Sequence, residues 1–215
     1  MNLTTVSRRA AIAWGAALIA APSAALANAQ CSAPDSSGMK RCEVNFGSDS
    51  RDAVRQLKPH WCWAACIQTI FATHGFDISQ QQIVQKVFGN TVDESANAKE
   101  ILAAIDGRWT NDHGKSFEAK GFILWDRVAD FERPDALPAA VRELQGGNPL
   151  IFANDRHTMV LTQLAYSEDA RGRINVNSLT VRDPWPDAPY RHVLGGDEIP
   201  KSGLLCGVHV DVVTS

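Results

Sequence analysis

The chain has 215 residues and a formal net charge of -3. No dense Lys/Arg cluster offsets that balance, which argues against a nucleic-acid partner held by phosphate neutralisation. Once an N-terminal leader is removed about 185 residues would remain, enough for one domain with a real core and short for two.

Arg8 and Arg9 precede an apolar stretch from Ala10 to Ala21, followed by small-residue sites at Ala25, Leu26, Ala27 and at Ala27, Asn28, Ala29. This pattern predicts an export signal over residues 1–29. The apolar stretch is too short to span a bilayer, so no integral membrane segment is expected in the mature chain. Ser7, Arg8 and Arg9 suggest the twin-arginine route, although Ala11 stands where that signal usually carries a bulky apolar residue. The mature protein is expected to be a secreted or periplasmic bacterial monomer.

An oxidising destination permits disulfides, and five cysteines leave one thiol over. Cys62 is expected to be that thiol. Cys31, Cys42, Cys66 and Cys206 allow three pairings; Cys31 with Cys42 and Cys66 with Cys206 is preferred. The first bridge would tie down an N-terminal arm over residues 30–55, and the second would pin the central helix to the last strand.

The stretch QLKPHWCWAAC, Gln56 to Cys66, places a glutamine six residues before a cysteine that opens an apolar, helix-prone run. A thiol in a first helical turn faces unpaired N–H groups and the positive end of the helix dipole, both of which favour the nucleophilic thiolate. Gln56 can offer its side-chain NH₂ to an oxyanion, with the backbone N–H of Cys62 as second donor.

From Cys62, the residues Trp63, Cys66, Ile67, Ile70 and Phe71 recur at helical spacing, and Gly75 after His74 predicts the stop. Ser79 and Gln82 form a capping-box signature before Ile83, Val84, Val87 and Phe88, with Gly89 ending that helix. A third helix is predicted from about Ser95 to Ile105. After Gly121 the pattern predicts a short strand at Phe122 to Trp125 and a helix from Leu137 to Leu144 closed by Gly146 and Gly147. Strands follow at Leu150 to Ala153, Thr158 to Ala165, Ile174 to Val181 and Val208 to Val213, with a hairpin loop at Ala170 to Arg173. The fold class expected is α+β, a helical half carrying the central helix packed on an antiparallel sheet half, with a cleft between them.

His157 follows the turn-like Asn154, Asp155 and Arg156 and stands at the start of a strand. Asp183 ends the next one, where Pro184 stops pairing. A nucleophile needs a base and an orienter, and these two residues supply both types. Zinc held by Cys62, Cys66 and His157 is the competing chemistry; no CxxC pair supports it, so neither metal nor cofactor is expected. His60, His74, His113, His192 and His209 show no partner pattern and read as structural or surface residues.

The order Gln, Cys, His, Asp resembles the papain-like cysteine peptidases, most closely compact bacterial branches that include staphopain-like enzymes and secreted plant-pathogen effectors. The resemblance covers Gln56 to the C-terminus and implies a peptidase domain over residues 56–215. By motif position it implies that Gln56 builds the oxyanion hole, Cys62 attacks, His157 exchanges protons and Asp183 orients the imidazole. Trp63 matches the tryptophan after the nucleophile and Trp185 the one two residues past the orienter. Trp63 and Trp185 are the expected substrate-side aromatics, Trp63 also reading as core and Trp185 as a shield for the bond between His157 and Asp183. Departures are the replacement of an upstream Cys and Gly by Pro59, His60 and Trp61, and a Cys-to-His interval of 95 residues against about 130–150 in papain and cathepsins. The implied activity is peptide-bond hydrolysis of a polypeptide substrate. Acyl transfer on the same scaffold and a non-catalytic binding module are the alternatives. The segment from Trp109 to Phe117 is a candidate pocket-lining loop.

Overall fold

The computed structural model describes residues 29–46, 54–129, 131–198 and 203–213; the export-signal reading falls almost wholly on residues outside these. The fold is α+β. Four helices run Cys62–Thr73 (α1), Gln80–Phe88 (α2), Ala98–Ile105 (α3) and Ala136–Gln145 (α4). The strands are Gln30–Cys31 (β1), Lys40–Asn45 (β2), Gly107–Thr110 (β3), Ser116–Asp126 (β4), Phe131–Glu132 (β5), Leu150–Asn154 (β6), Thr158–Glu168 (β7), Ile174–Arg182 (β8), Arg191–Val193 (β9) and Gly203–Val212 (β10).

They form one antiparallel sheet ordered β1-β2-β7-β6-β10-β4-β3, with β8 paired to β7 and β9, and β5 to β4. Alternation along each strand divides the core between the two faces. Ile151, Val160, Leu204, Cys206 and Val208 join one cluster with Trp63, Ile67, Ile70 and Phe71 of α1. Their neighbours Leu150, Phe152, Met159, Leu161 and Leu205 join another with Ala140, Val141 and Leu144 of α4. Helix α1 thus lies on one face over β6 and β7, and α4 covers the opposite face. Each large apolar side chain fully enclosed in these layers stabilises the fold by about 1.5–3 kcal/mol.

Helix α2 is bounded as its residues predict: Ser79 accepts from the Gln82 N–H, Gln82 reaches back to Ser79, and Gly89 adopts a left-handed φ of 74°. Helix α3 starts three residues later than predicted because Asn97 and Glu100 form a second capping box. Gly121 lets α3 rest on β4: a Cβ there would lie 2.7 Å from Leu102 Cδ2 and 3.3 Å from Ile105 Cδ1.

Three expectations change. Trp109 to Phe117 is a β3-β4 hairpin in which those two residues are paired and buried, so both aromatics face the core rather than a substrate. The N-terminal arm contributes β2, whose whole length pairs with β7 and whose Val44 is fully buried. Cys31 and Cys42 form the preferred disulfide, but Cys66 and Cys206 are free and buried. The physical reason is placement: α1 lies over β6 and β7, whereas Cys206 belongs to β10, one strand beyond, and pairs with Ile151 and Ile123. Each thiol instead donates to a carbonyl, Cys66 to Thr158 at 3.3 Å and Cys206 to Gly207 at 3.4 Å.

Candidate active site

Cys62 is the first residue of α1. Trp61 occupies the N-cap and no side chain caps the turn, so the first-turn N–H groups point outward beside the thiol. Two indoles hold this start in place: Trp61 Nε1 donates to Val92 O at 2.7 Å and Trp63 Nε1 to Glu94 O at 3.0 Å. Trp63 is 1% exposed and packs edge-on against Phe88. A side chain so enclosed offers a substrate no surface, which corrects the substrate-side expectation for it.

His157 is delivered by the β6-β7 turn. Asn154 Oδ1 accepts from the N–H groups of Arg156 at 2.9 Å and His157 at 2.7 Å, and Asn154 N donates to His157 O at 2.9 Å. Asp183 follows β8, its N–H donating to Tyr190 O at 2.8 Å. The turn and the strand end bring His157 Nε2 within 2.6 Å of Asp183 Oδ1, and the same oxygen accepts from Trp185 N at 2.8 Å. The Trp185 ring is 43% exposed and stands edge-on to the imidazole at 6.0 Å.

The electrostatics follow from these contacts. Burial of Cys62 pushes its thiol pKa up, but the hydrogen bond and charge of His157, with help from Thr158, bring it below the ordinary thiol value. Burial likewise disfavours imidazolium at His157, yet Asp183 on one side and Cys62 on the other raise its pKa to about 9. Burial would also raise Asp183; bonds from His157 and the Trp185 N–H hold it below the usual carboxylate range. With Nε2 engaged by Asp183, the remaining ring nitrogen is the one that serves Cys62. Four residues on, Cys66 is driven well above its ordinary value by burial first and by the neighbouring Cys62 and Asp183 charges next, so it stays a thiol.

Gln56 is buried next to this group. Its N–H donates to Pro184 O at 2.9 Å, and the Arg55 guanidinium bonds the carbonyls of Asp183, at 3.1 Å, and of Trp185. The Gln56 Nε2 donates to Lys58 O at 3.0 Å and Pro59 O at 2.9 Å, while Oε1 is buried and accepts from no donor among the described residues. His157 therefore bonds Asp183 on one side and Cys62 on the other, and Gln56 is stitched to the loop after Asp183. Arg55 carries no sequence signal for its place beside Asp183, and Asn154 carries only its turn chemistry. Among the described residues no group of three or more His, Cys, Asp or Glu side chains is arranged to hold a metal ion.

A cavity of about 510 Å³ opens beside the His157 turn, between the start of α3 and the strand ends. Ala96, Ala98, Ile101, Ala153, Asn154 and Leu204 line it.

No protein-family model and no curated protein matches the chain. Among solved structures it is similar to a double glycine motif protease from an AMS/PCAT transporter, crystallised with the leader peptide, at 16% identity, covering 75% of this chain and 91% of that one, with a TM-score of 0.42. It is similar to the peptidase domain of Streptococcus ComA, a bi-functional ABC transporter involved in a quorum sensing pathway, at 14% identity, 74% and 97% coverage and a TM-score of 0.42. UfSP from C. elegans aligns at 13% identity over 83% of this chain with a TM-score of 0.45, the match spanning only 34% of that protein's chain. Likenesses this distant leave the family of the chain unassigned.

Proposed function

We propose that the protein is an exported cysteine peptidase of papain-like architecture, hydrolysing polypeptides through a Cys62 acyl-enzyme. The observation that carries this reading is the imidazole of His157 held between Asp183 and Cys62, three groups from distant parts of the chain. The lowered thiol and raised imidazole pKa values favour a resting thiolate and imidazolium.

In the proposed reaction the thiolate sulfur bonds to the scissile carbonyl carbon and the carbonyl π electrons move to oxygen. The Cys62 N–H and the Gln56 amide stabilise that oxyanion, the latter by giving up one of its contacts to the Lys58 and Pro59 carbonyls. His157 then protonates the leaving nitrogen as the C–N bond breaks, and a thioester remains. Water loses a proton to the now neutral imidazole, adds to the thioester and expels the thiolate. Asp183 holds Nε2 throughout, which fixes the tautomer and ring orientation. The cavity beside the His157 turn, whose mostly apolar lining also holds Asn97, Lys99 and Asp126, suits an apolar substrate side chain with a polar edge.

Export is supported by the Cys31–Cys42 disulfide, which requires an oxidising compartment. No helix among the described residues is long and apolar enough to cross a membrane. The pairing of β2 with β7 supports retention of residues 30–45 in the active chain.

Casein hydrolysis in the presence of a thiol reductant tests the proposal. Cys62→Ala should abolish cleavage, His157→Ala should nearly do so, and an epoxysuccinyl peptide mimetic should label Cys62 stoichiometrically. Wild-type cleavage by Cys62→Ala, or a chain that neither cleaves nor takes the label, would sink it.

A further inference from the structure

Gln80 is the first residue of α2 and only 1% exposed. The start of that helix is already served by the Ser79 and Gln82 capping box, so the Gln80 carboxamide is free for other partners. Its Oε1 accepts from Leu57 N at 2.9 Å, and its Nε2 donates to Arg55 O at 2.9 Å and to Gln68 Oε1 at 3.0 Å. Both amide hydrogens are used, as a buried polar group requires.

The two backbone contacts flank Gln56. Along an extended chain the carbonyl of one residue and the N–H two positions on leave the same edge, while the N–H of the residue between them leaves the other. The carboxamide of Gln80 thus stands where a neighbouring strand's peptide group would, on one edge of Gln56. On the opposite edge, Gln56 N donates to Pro184 O at 2.9 Å. The third bond of Gln80 runs to Gln68 of α1, the helix that begins at Cys62.

We propose that Gln80 is a positioning residue for the oxyanion site: it fixes the backbone at Gln56 relative to the helix that carries Cys62, and touches no substrate itself. This rests on the cysteine-peptidase reading above. Without its three hydrogen bonds the Gln56 amide loses its place, and a displacement of about 1 Å in such a donor can cost about 100-fold in rate.

The test compares full-length wild type, Gln80→Ala, Gln56→Ala and the double variant for peptide hydrolysis and for alkylation of Cys62 by iodoacetamide. Alkylation displaces iodide at a methylene carbon and forms no oxyanion, so it reports the thiolate and imidazolium alone. Gln80→Ala should lower kcat about 10- to 100-fold, leave KM and the alkylation rate near wild type, and cost nothing further in the Gln56→Ala background. Gln80→Met keeps the volume without the hydrogen bonds; it should behave like Gln80→Ala and serves if the smaller side chain prevents folding. Multiplying losses in the double variant, or alkylation falling in step with turnover, would overturn the assignment while leaving the peptidase reading standing. A wild-type chain without Cys62-dependent hydrolysis overturns both.

Discussion

The Nε2 of His157 lies 2.6 Å from Asp183 Oδ1, a bond that joins the residue before β7 to the residue after β8. Because those two strands form a hairpin, the imidazole and its carboxylate stand on neighbouring strands at the same end of the sheet. Cys62 meets them from α1, which lies on β7.

This bond sets a pH window. In the folded chain His157 is raised from 6.5 to about 9. Its contribution to stability is therefore complete below about 6.5 and lost as pH rises through about 9. Asp183 is lowered from 3.8, so its contribution is present above that value and lost as pH falls. Hydrolysis should follow a bell whose acid limb lies below the ordinary thiol value of 9.0 and whose alkaline limb lies near 9, both limbs belonging to the coupled pair. Asp183→Asn keeps an acceptor for Nε2 but removes the charge, so the alkaline limb should move to lower pH. A pH–rate profile checks this, and an unmoved limb would show that Asp183 acts on His157 by shape alone.

Gln56→Ala should lower kcat by about 10²- to 10³-fold, the usual effect of removing one oxyanion donor. The Cys62 alkylation rate should change little, since Gln56 makes none of the contacts that lower the thiol pKa. Steady-state kinetics beside iodoacetamide labelling measures both quantities. Unchanged turnover removes Gln56 from the site.

Thiol counting distinguishes the two disulfide arrangements. Cys62, Cys66 and Cys206 are free, so titration with a chromogenic disulfide in denaturant, without reductant, should find three thiols per chain. In native buffer only Cys62 should react, because Cys66 and Cys206 are buried. One thiol in denaturant would restore the bridge between Cys66 and Cys206.

Gly121→Ala should destabilise the fold by about 1–3 kcal/mol, because the added methyl group meets Leu102 and Ile105 where α3 crosses β4. Chemical denaturation gives the difference directly. An unchanged midpoint would mean that α3 can lift away from β4 at no cost.

Much of the site was legible in order and type. The start of α1 at Cys62, the Ser79 capping box and the strand boundaries at His157 and Asp183 follow from spacing and turn chemistry within a few residues. Strand β3 and the length of β4 were not legible, because Gly107 and Asn111 interrupt the apolar pattern that the hairpin completes only by pairing Trp109 with Phe117. The N-terminal arm was equally opaque: β2 is a short strand whose burial comes from β7, about 120 residues away in sequence.

Helix α1, the place of Cys62 in its first turn and the order of Gln56, Cys62, His157 and Asp183 along the chain are local properties, set by periodicity, capping and residue chemistry, and the sequence alone determined them. Tertiary structure decided that Cys66 bonds a carbonyl rather than Cys206, that Trp63 is core while Trp185 stands against His157, and that Gln80 holds the backbone around Gln56. Those outcomes depend on which strand lies beneath which helix, and no spacing along the chain encodes that adjacency before the sheet assembles.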